Sequence, residues 1–194
     1  MGVGFTSCEK NPEYIIIDGH EFVDLGLPSG LKWATCNVGA NSPEEYGNYY
    51  AWGETSTKNK YSYDNYSLRY NEIISDISGD PAFDVANRKW GSSCRMPTRA
   101  EIQELIEKCI WQYIPQNGVS GYIVTGPNGN SIFFPAAGFY YGTLQDSPGH
   151  SGAYWSSTPD DEIFAYSLYF YKNDIYEVSR HGVSDGCSVR PVSE

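Results

Sequence analysis

The sequence is poor in basic residues and has no long apolar segment. Its 13 lysines and arginines are outnumbered by 24 aspartates and glutamates, so the net charge is -11. Nucleic acids and anionic lipid surfaces attract basic faces, and this balance therefore disfavours both as partners. No stretch is long and apolar enough to span a bilayer, so membrane association would need a lipid anchor.

Recognisable metal and catalytic motifs are missing as well. The three histidines, His20, His150 and His181, do not have the spacing of metal ligands, and no two cysteines form a CxxC pair. No cysteine or serine stands in a known nucleophile motif. The sequence therefore predicts a protein that is not an enzyme and that has no catalytic residue, no metal and no cofactor.

One catalytic alternative stays open. Asp160, Asp161 and Glu162 form an acidic cluster, and paired carboxylates can hydrolyse glycosidic bonds or bind calcium through their oxygens. With His150 or His181 they would make a hydrolase site, which requires a deep pocket where these groups converge. Charge runs are more often solvated loops, so this hydrolase is the weaker hypothesis.

Aromatic residues and turn formers are abundant. The 194 residues include 17 tyrosines, 5 tryptophans, 20 glycines and 11 prolines. This composition is typical of many short strands and tight turns rather than of a helical bundle. We expect one α+β domain over 14–194, with antiparallel β-hairpins and a short sheet packed with two or three short helices, after a flexible N-terminus at 1–13.

Local signals predict where these elements begin and end. Asp18-Gly19, between two β-favouring runs, predicts a hairpin turn, and a second hairpin is expected around 127–129. Capping patterns predict a short helix from Ser42, another from Asp80 to Gly91, and the clearest helix from Thr98. The apolar face of that last helix, expected to face the core, consists of Ile102, Leu105, Ile106 and Cys109.

The first residues resemble the end of a bacterial lipoprotein signal. The run Gly-Phe-Thr-Ser-Cys ends at Cys8, which would become the lipidated first residue of the mature protein. This interpretation predicts an exported lipoprotein at the cell surface or in the periplasm. The alternative is an ordinary flexible N-terminus.

Seven segments between Glu21 and Val192 carry a resemblance to a known family. In chain order they are FVDLGLPSGLKWATCNVGA, YGNYYAWGET, DVANRKWG, RMPTRAEIQELIEKC, GYIVTGPNGNSIFFPAAG, YWSSTP and SVRPV. Together they resemble the Fibrobacter succinogenes major paralogous domain family. The resemblance implies an exported protein of Bacteroidetes or related bacteria with a C-type lectin-like fold. That fold is the variant shared with formylglycine-generating enzymes and with the variable proteins of diversity-generating retroelements.

The resemblance implies a display scaffold rather than an enzyme. A constant framework would hold a C-terminal surface whose residues vary between paralogues and bind different ligands. The copper-binding cysteine pair of formylglycine-generating enzymes has no counterpart here, so that activity is not carried over. The main alternative to a binding module is a structural adhesin or fimbrial subunit, which would expose a strand edge or an apolar patch.

Two cysteines depart from the family pattern. Cys94 stands where the resemblance implies a tryptophan, and Cys187 stands where it implies an aromatic residue. Paired replacement of two large residues suggests compensation, and we therefore predict a Cys94–Cys187 disulfide. Cys36 and Cys109 are familiar at their positions and are expected to be neighbours.

The ligand-binding surface is expected between Gly138 and Asp185, where tyrosine and small polar residues are enriched. Tyrosine supplies rigid contact area with a polar tip, and small polar side chains add hydrogen bonds. Such a surface suits a carbohydrate or a protein ligand bound by a monomer. The predicted ligand-binding residues are Tyr140, Tyr141, Gln145, His150, Tyr154, Asp160, Asp161, Tyr171, Asn173, Asp174, Tyr176, His181 and Asp185.

Strand alternation divides the aromatic run from Phe164 to Tyr171. Phe164, Tyr166, Leu168 and Phe170 share the more apolar parity and are predicted to face the core. Tyr171 and the turn after it are predicted to face a ligand. A single bulge would reverse the parity beyond it.

Overall fold

The structure, a computed structural model, describes residues 13–69, 75–172 and 174–194 and has a mixed α+β architecture. Within these ranges the helices are α1 (Val85–Trp90) and α2 (Arg99–Lys108), with a 3-10 turn at Tyr63–Asn65. The strands are β1 (Tyr14–Ile17), β2 (His20–Asp24), β3 (Lys32–Ala34), β4 (Ile110–Tyr113), β5 (Gly121–Thr125), β6 (Ser131–Pro135), β7 (Phe139–Tyr141), β8 (Leu144–Asp146), β9 (Ser151–Pro159), β10 (Phe164–Tyr171), β11 (Asp174–Gly182) and β12 (Val192–Ser193). The predicted α+β class is confirmed.

The described strands form four sheets with antiparallel pairing. Their orders are β1-β2-β3-β12, β11-β10-β9, β4-β5-β6 and the two-stranded β7-β8. In the first sheet Val192 of β12 pairs with Trp33 of β3, so the end of the chain closes the sheet that its beginning opens. No helix in the described part of the chain is long and apolar enough to cross a membrane.

Buried side chains form two core clusters. The first core includes Trp52 and Trp155, and the second includes Trp33 and Phe134. Strand β9 contributes to both, because Trp155 lies in the first core and its neighbour Tyr154 in the second. Successive side chains of a strand point to opposite faces, so this strand is buried on both faces between the two cores.

The same arrangement governs β10, where the predicted parity is only partly right. Leu168 and Phe170 lie in the second core as expected, but Ala165, of the other parity, lies in the first core. The pairing of β10 shifts register near its middle, and both of its faces are covered. Tyr166 is not a core residue: it is half-buried, with the Arg99 guanidinium 4.0 Å above its ring.

A buried arginine joins distant parts of the chain. Arg190 of the SVRPV segment is 1% exposed, and its Nε donates to Asn37 Oδ1 at 2.8 Å. Nη1 donates to the carbonyls of Ala34 and Thr35, and Nη2 donates to the Phe133 carbonyl, each at 3.0 Å. The guanidinium thus satisfies its donors largely on backbone oxygens, as burial of a cation requires.

Where local chemistry is unambiguous, the predicted elements are confirmed. The turn at Asp18-Gly19 joins β1 to β2, and both residues have positive φ, 48° and 83°. The capping box that begins α2 is present, because Thr98 accepts from the Glu101 amide while Glu101 accepts from the Thr98 amide. The helix buries Ile102 and Leu105, two members of the predicted apolar face.

Two helix predictions need correction. No helix begins at Ser42: Glu45, expected to complete a capping box, instead accepts from the Asn41 amide at 2.7 Å, and Gly47 follows with φ of 71°. The next helix begins at Val85 rather than near Asp80. Its N-cap is Asp84, whose carboxylate accepts from the amides of the first turn.

The predicted disulfide is wrong in this structure. Cys94 and Cys187 are both free thiols without exposed surface, and both belong to the first core. Buried thiols pack as small apolar groups, so the pair fills space without a bond. Cys36 packs against the first core and Cys109 against the second, and both are free thiols.

Candidate functional site

The predicted ligand-binding residues do not converge on one surface. Asp160 and Asp161 precede the first residue of β10, whereas Tyr171 ends the same strand and pairs with Asp174. At about 3.3 Å per residue, the seven steps of this strand separate its ends by roughly 23 Å. The acidic cluster and the pair around Tyr171 therefore cannot hold the same small ligand.

Two predicted binding residues are part of the packed interior. Tyr154 is 2% exposed, and its hydroxyl donates to the Pro135 carbonyl at 2.5 Å. His181 is 9% exposed, with Nδ1 2.8 Å from Ser167 Oγ and its ring 4.9 Å from that of Phe139. Burial lowers the pKa of His181 to about 4, so it is a neutral packing residue at pH 7.

Asp185 is a third buried residue of the predicted set. It is 9% exposed, and its Oδ2 accepts from the Gly182 amide at 3.0 Å. Burial raises the pKa of this carboxyl group to about 6, because a charged carboxylate loses its hydration there. Asp185 therefore holds the turn after β11 rather than a ligand.

The acidic cluster is occupied by local contacts. Asp160 accepts from the hydroxyl of Tyr166 and from Arg180 Nη1, the latter at 2.7 Å. These contacts, the Tyr166 hydroxyl foremost, lower the pKa of Asp160. Asp161 Oδ1 accepts from the amides of Ile163 and Phe164, both at 2.8 Å. The carboxylates thus hold the turn before β10, as expected of a solvated loop.

The other end of β10, at Tyr171, is exposed, and few predicted binding residues lie there. His150 stacks against Tyr171 with ring centroids 6.5 Å apart, and Tyr171 is 41% exposed. Asp174 is exposed beside them. Asn173 and the side chain of Tyr176 lie outside the described residues, as does the predicted lipidation site Cys8.

Tyr140, one of the predicted binding residues, packs into a cluster of tyrosine rings. Its ring packs edge-on against Tyr49 with centroids 4.8 Å apart, and it lies 5.6 Å from Tyr61. Gln145 Nε2 donates to the Tyr49 hydroxyl at 2.7 Å, and that hydroxyl donates to the Ala137 carbonyl at 2.6 Å. Two residues predicted from the sequence, Tyr140 and Gln145, thus belong to one hydrogen-bonded tyrosine cluster.

A cavity opens beside this cluster. It has a volume of about 390 Å³, within the ~300–1,000 Å³ usual for small-molecule sites. Its walls combine aromatic rings with amide, hydroxyl and ammonium groups. The lining residues are Asn48, Tyr49, Thr57, Lys58, Asn59, Tyr61, Tyr140 and Thr143, and we call this cavity the tyrosine pocket.

Backbone pairing positions the two sides of the tyrosine pocket. The Tyr140 and Gly186 backbones exchange hydrogen bonds of 2.8 and 2.9 Å, and those of Tyr61 and Gly142 exchange bonds of 2.7 and 2.6 Å. The hairpin of β7 and β8 is therefore anchored to two separate segments. Gly186 is needed at this contact, because a Cβ there would lie 2.8 Å from the Tyr61 ring.

The loop that carries Lys58 has its own anchor. Lys58 Nζ donates to Glu54 Oε1 and to the Asn65 carbonyl, both at 2.7 Å, and Glu54 also accepts from the Ser67 amide at 2.6 Å. The Lys58 amide donates to the Tyr61 hydroxyl at 3.3 Å. Because its charge is compensated by Glu54, Lys58 offers the pocket a positioned polar group rather than a free cation.

The phenols of Tyr49 and Tyr61 are neutral at physiological pH. Burial raises the pKa of Tyr49 and of Tyr61 above the ordinary tyrosine value, because the phenolate would lose its hydration. These hydroxyls therefore act as ordinary donors and acceptors. In the described part of the chain, no group of three or more His, Cys, Asp or Glu side chains is arranged to hold a metal ion.

Sequence reasoning missed the half of the pocket that lies in 48–61. Most of this segment is polar and weakly periodic, and none of the predicted binding residues falls in it. Tyr49 and Tyr61 reach Tyr140 only through long-range pairing of their backbones, which local patterns do not encode. The one available signal was the high density of tyrosine around Tyr49.

Comparison with known families gives one similarity. A family model described as a domain of unknown function (DUF8237) matches residues 98–192. The match begins at Thr98, the N-cap of α2, and ends at Val192, the first residue of β12. It includes Tyr140 and Gln145 but not the 48–61 side of the pocket. Neither the curated proteins nor the solved structures gave a match.

Proposed function

We propose that this chain is a non-catalytic binding module and that its tyrosine pocket holds a carbohydrate. The observation that carries the proposal is the combination of three packed tyrosines with amide and hydroxyl groups around one cavity. A sugar ring has apolar C–H faces and a rim of hydroxyls. It is matched by flat aromatic surfaces beside small polar side chains, the mixture that small-ligand sites use for orientation.

The size of the cavity favours a small polar ligand over a protein epitope. A stable protein interface covers about 800 Å² on each partner, whereas the tyrosine pocket is a concave space of about 390 Å³. Preorganisation adds to this preference, since Gln145, Glu54 and Gly186 hold the walls before any ligand arrives. A protein ligand is an alternative outcome of the experiment below.

The proposal extends to fold, family and location. A C-type lectin-like fold is supported by the pairing of β12 with β3 and by the start of α2 at the capping box of the RMPTRAEIQEL segment. Membership of the Fibrobacter succinogenes major paralogous domain family rests on the seven ordered motifs. Export, a lipid on Cys8 and display at the cell surface follow from that resemblance and belong to the same proposal.

The hydrolase alternative has less support. Asp160 is paired with Tyr166 and Arg180, and Asp161 holds backbone amides, so neither carboxylate is poised for acid or base chemistry. His181 is buried against Ser167 and Phe139. The adhesin alternative predicts self-association, which size-exclusion chromatography of the purified chain would reveal.

A glycan array probed with wild type and two variants tests the proposal. We expect wild type to bind a defined group of glycans, and Tyr140→Ala to lose about tenfold or more in affinity, equivalent to about 1.4 kcal/mol. Tyr141→Ala is the matched control, because Tyr141 is the next residue, is 70% exposed and is not among the pocket residues. Absence of glycan binding by folded wild type, or equal losses in both variants, would overturn the proposal.

A further inference from the structure

A second cavity adjoins the tyrosine pocket. It has a volume of about 430 Å³, and two of its lining residues, Asn48 and Thr57, also line the tyrosine pocket. Both of these residues are exposed. The full lining is His20, Val38, Gly39, Asn48, Tyr50, Ser56, Thr57, Lys89 and Trp90, and we call this cavity the histidine pocket.

The far wall of the histidine pocket is a stacked pair of rings. His20 lies flat on Trp90, with centroids 3.7 Å apart and planes inclined by 4°. Trp90, the last residue of α1, is itself held edge-on by Phe22 of the first core at 6.1 Å. The pair therefore gives the histidine pocket a rigid aromatic wall, half-buried at His20 and 8% exposed at Trp90, and neither ring lines the tyrosine pocket.

The boundary between the two pockets is polar and closely fitted. The backbone N–H of Asn48 donates to the Val38 carbonyl at 2.9 Å, and the Asn48 side chain lies over Gly39. A Cβ at Gly39 would lie 2.2 Å from Asn48 Nδ2, so glycine is required to seat this side chain. Thr57 adds a hydroxyl from the opposite side of the boundary, on the loop anchored by Glu54.

The order along the groove is therefore aromatic, polar, aromatic. A linear oligosaccharide presents the same alternation, because sugar rings with apolar faces are joined through polar glycosidic oxygens and flanking hydroxyls. A ligand of one sugar ring would fill one pocket and leave the adjoining pocket empty. The net charge of -11 disfavours an acidic chain, and in the tyrosine pocket the charge of Lys58 is compensated by Glu54.

We propose that the two pockets are subsites of one groove that binds a neutral linear oligosaccharide, with one sugar ring at Tyr140 and another at the His20–Trp90 pair. This inference rests on the proposed carbohydrate-binding function and deepens it, because it states the ligand's length and shape. Asn48 and Thr57 contact the linkage region between the two rings. Binding at two linked subsites raises affinity with chain length until both are filled.

Calorimetric titration with oligosaccharides of one to six units tests the inference. The probes are cello-, xylo-, manno- and chito-oligosaccharides. For the series that binds, affinity should rise by about tenfold or more between the shortest and longest ligands, and then level off once both subsites are filled. Tyr140→Ala should weaken the binding of short and long ligands alike.

The His20→Ala variant identifies the second subsite. It should lower the affinity for long ligands toward that of short ones and leave short-ligand affinity unchanged. Tyr63→Ala is the matched control, because Tyr63 is an exposed aromatic residue outside both pockets. Thermal unfolding of His20→Ala, compared with wild type, shows whether the fold is retained. If it is not, His20→Phe keeps an aromatic ring there and should retain the length dependence.

The outcomes separate the two proposals. Affinity that is independent of length, or equal losses for short and long ligands in His20→Ala, overturns the extended groove and leaves a single sugar site at Tyr140. Failure of folded wild type to bind any probe or any array glycan overturns the carbohydrate function and the groove together.

Discussion

Arg190 donates from Nε to Asn37 Oδ1 at 2.8 Å, joining residues 153 positions apart in the chain. The other donors of the guanidinium go to the backbone carbonyls of Ala34, Thr35 and Phe133. The arginine of SVRPV is therefore a structural residue. It holds the segment before β12 against β3 and β6, close to the middle of the fold.

Replacing this arginine should strongly destabilise the protein. Arg190→Ala leaves Asn37 Oδ1 and three buried carbonyls without their donor and opens a cavity, so we expect a loss of more than about 3 kcal/mol in the free energy of unfolding. Urea denaturation measures it. Arg88→Ala, an exposed arginine of α1, should change stability by less than about 0.5 kcal/mol. A loss below about 1 kcal/mol in Arg190→Ala would contradict the assigned role.

Cys94 and Cys187 should behave as inert buried thiols. Burial raises the pKa of Cys94 to about 11 and raises that of Cys187 as well, so both are protonated at pH 8, where only a thiolate would react. Iodoacetamide should label them in urea but not in the native state. A linked Cys94–Cys187 peptide in a non-reducing digest, or equal labelling rates in the two conditions, would show that this account of the core is wrong.

The pH dependence of stability contains two opposing contributions. His181 has a pKa of about 4 in place of its ordinary 6.5, so the unfolded chain binds the extra proton between these values and stability rises with pH. Asp185 has a pKa of about 6 in place of 3.8, so the folded state binds the extra proton and stability falls as pH rises. Each contribution is on the order of 3 kcal/mol, and they largely cancel.

Asp185→Asn removes the Asp185 contribution to the pH dependence of stability, so that the His181 contribution can be observed alone. Asparagine can still accept from the Gly182 amide but carries no charge, so the free energy of unfolding at pH 7 should rise by about 2–3 kcal/mol, with little change near pH 3.5. Between pH 4 and 6.5 the stability of this variant should climb more steeply than that of wild type. Asp174→Asn, at an exposed site, serves as the control. A gain that is the same at both pH values would rule out the titration of Asp185 as its cause.

Prediction from sequence succeeded where the signal spans a few residues. The capping box of Thr98 and Glu101 and the turn at Asp18-Gly19 are decided by neighbours one to three positions apart, and both are present. The prediction of which face of β10 is buried was only partly right, for a physical reason. Both faces of that strand are covered by core residues, so Ala165 of one parity and Phe170 of the other are both buried, and burial does not alternate with exposure along the strand.

The candidate site was half predictable for the same reason. Tyr140 and Gln145 stood in a segment whose composition already indicated recognition. Tyr49 and Tyr61 join them because the backbones of Tyr61 and Gly142, 81 positions apart in the chain, pair with each other. No local pattern specifies that pairing, so the shape of the pocket follows from the tertiary structure alone.

The most direct test of the account is a crystal structure of the protein with the longest oligosaccharide that it binds. We expect a sugar ring against Tyr140 in the tyrosine pocket, with polar atoms directed to Asn48 and Thr57 and the oligosaccharide continuing toward His20. A ligand bound elsewhere, for example beside His150 and Tyr171 at the end of β10 with the tyrosine pocket empty, would contradict it.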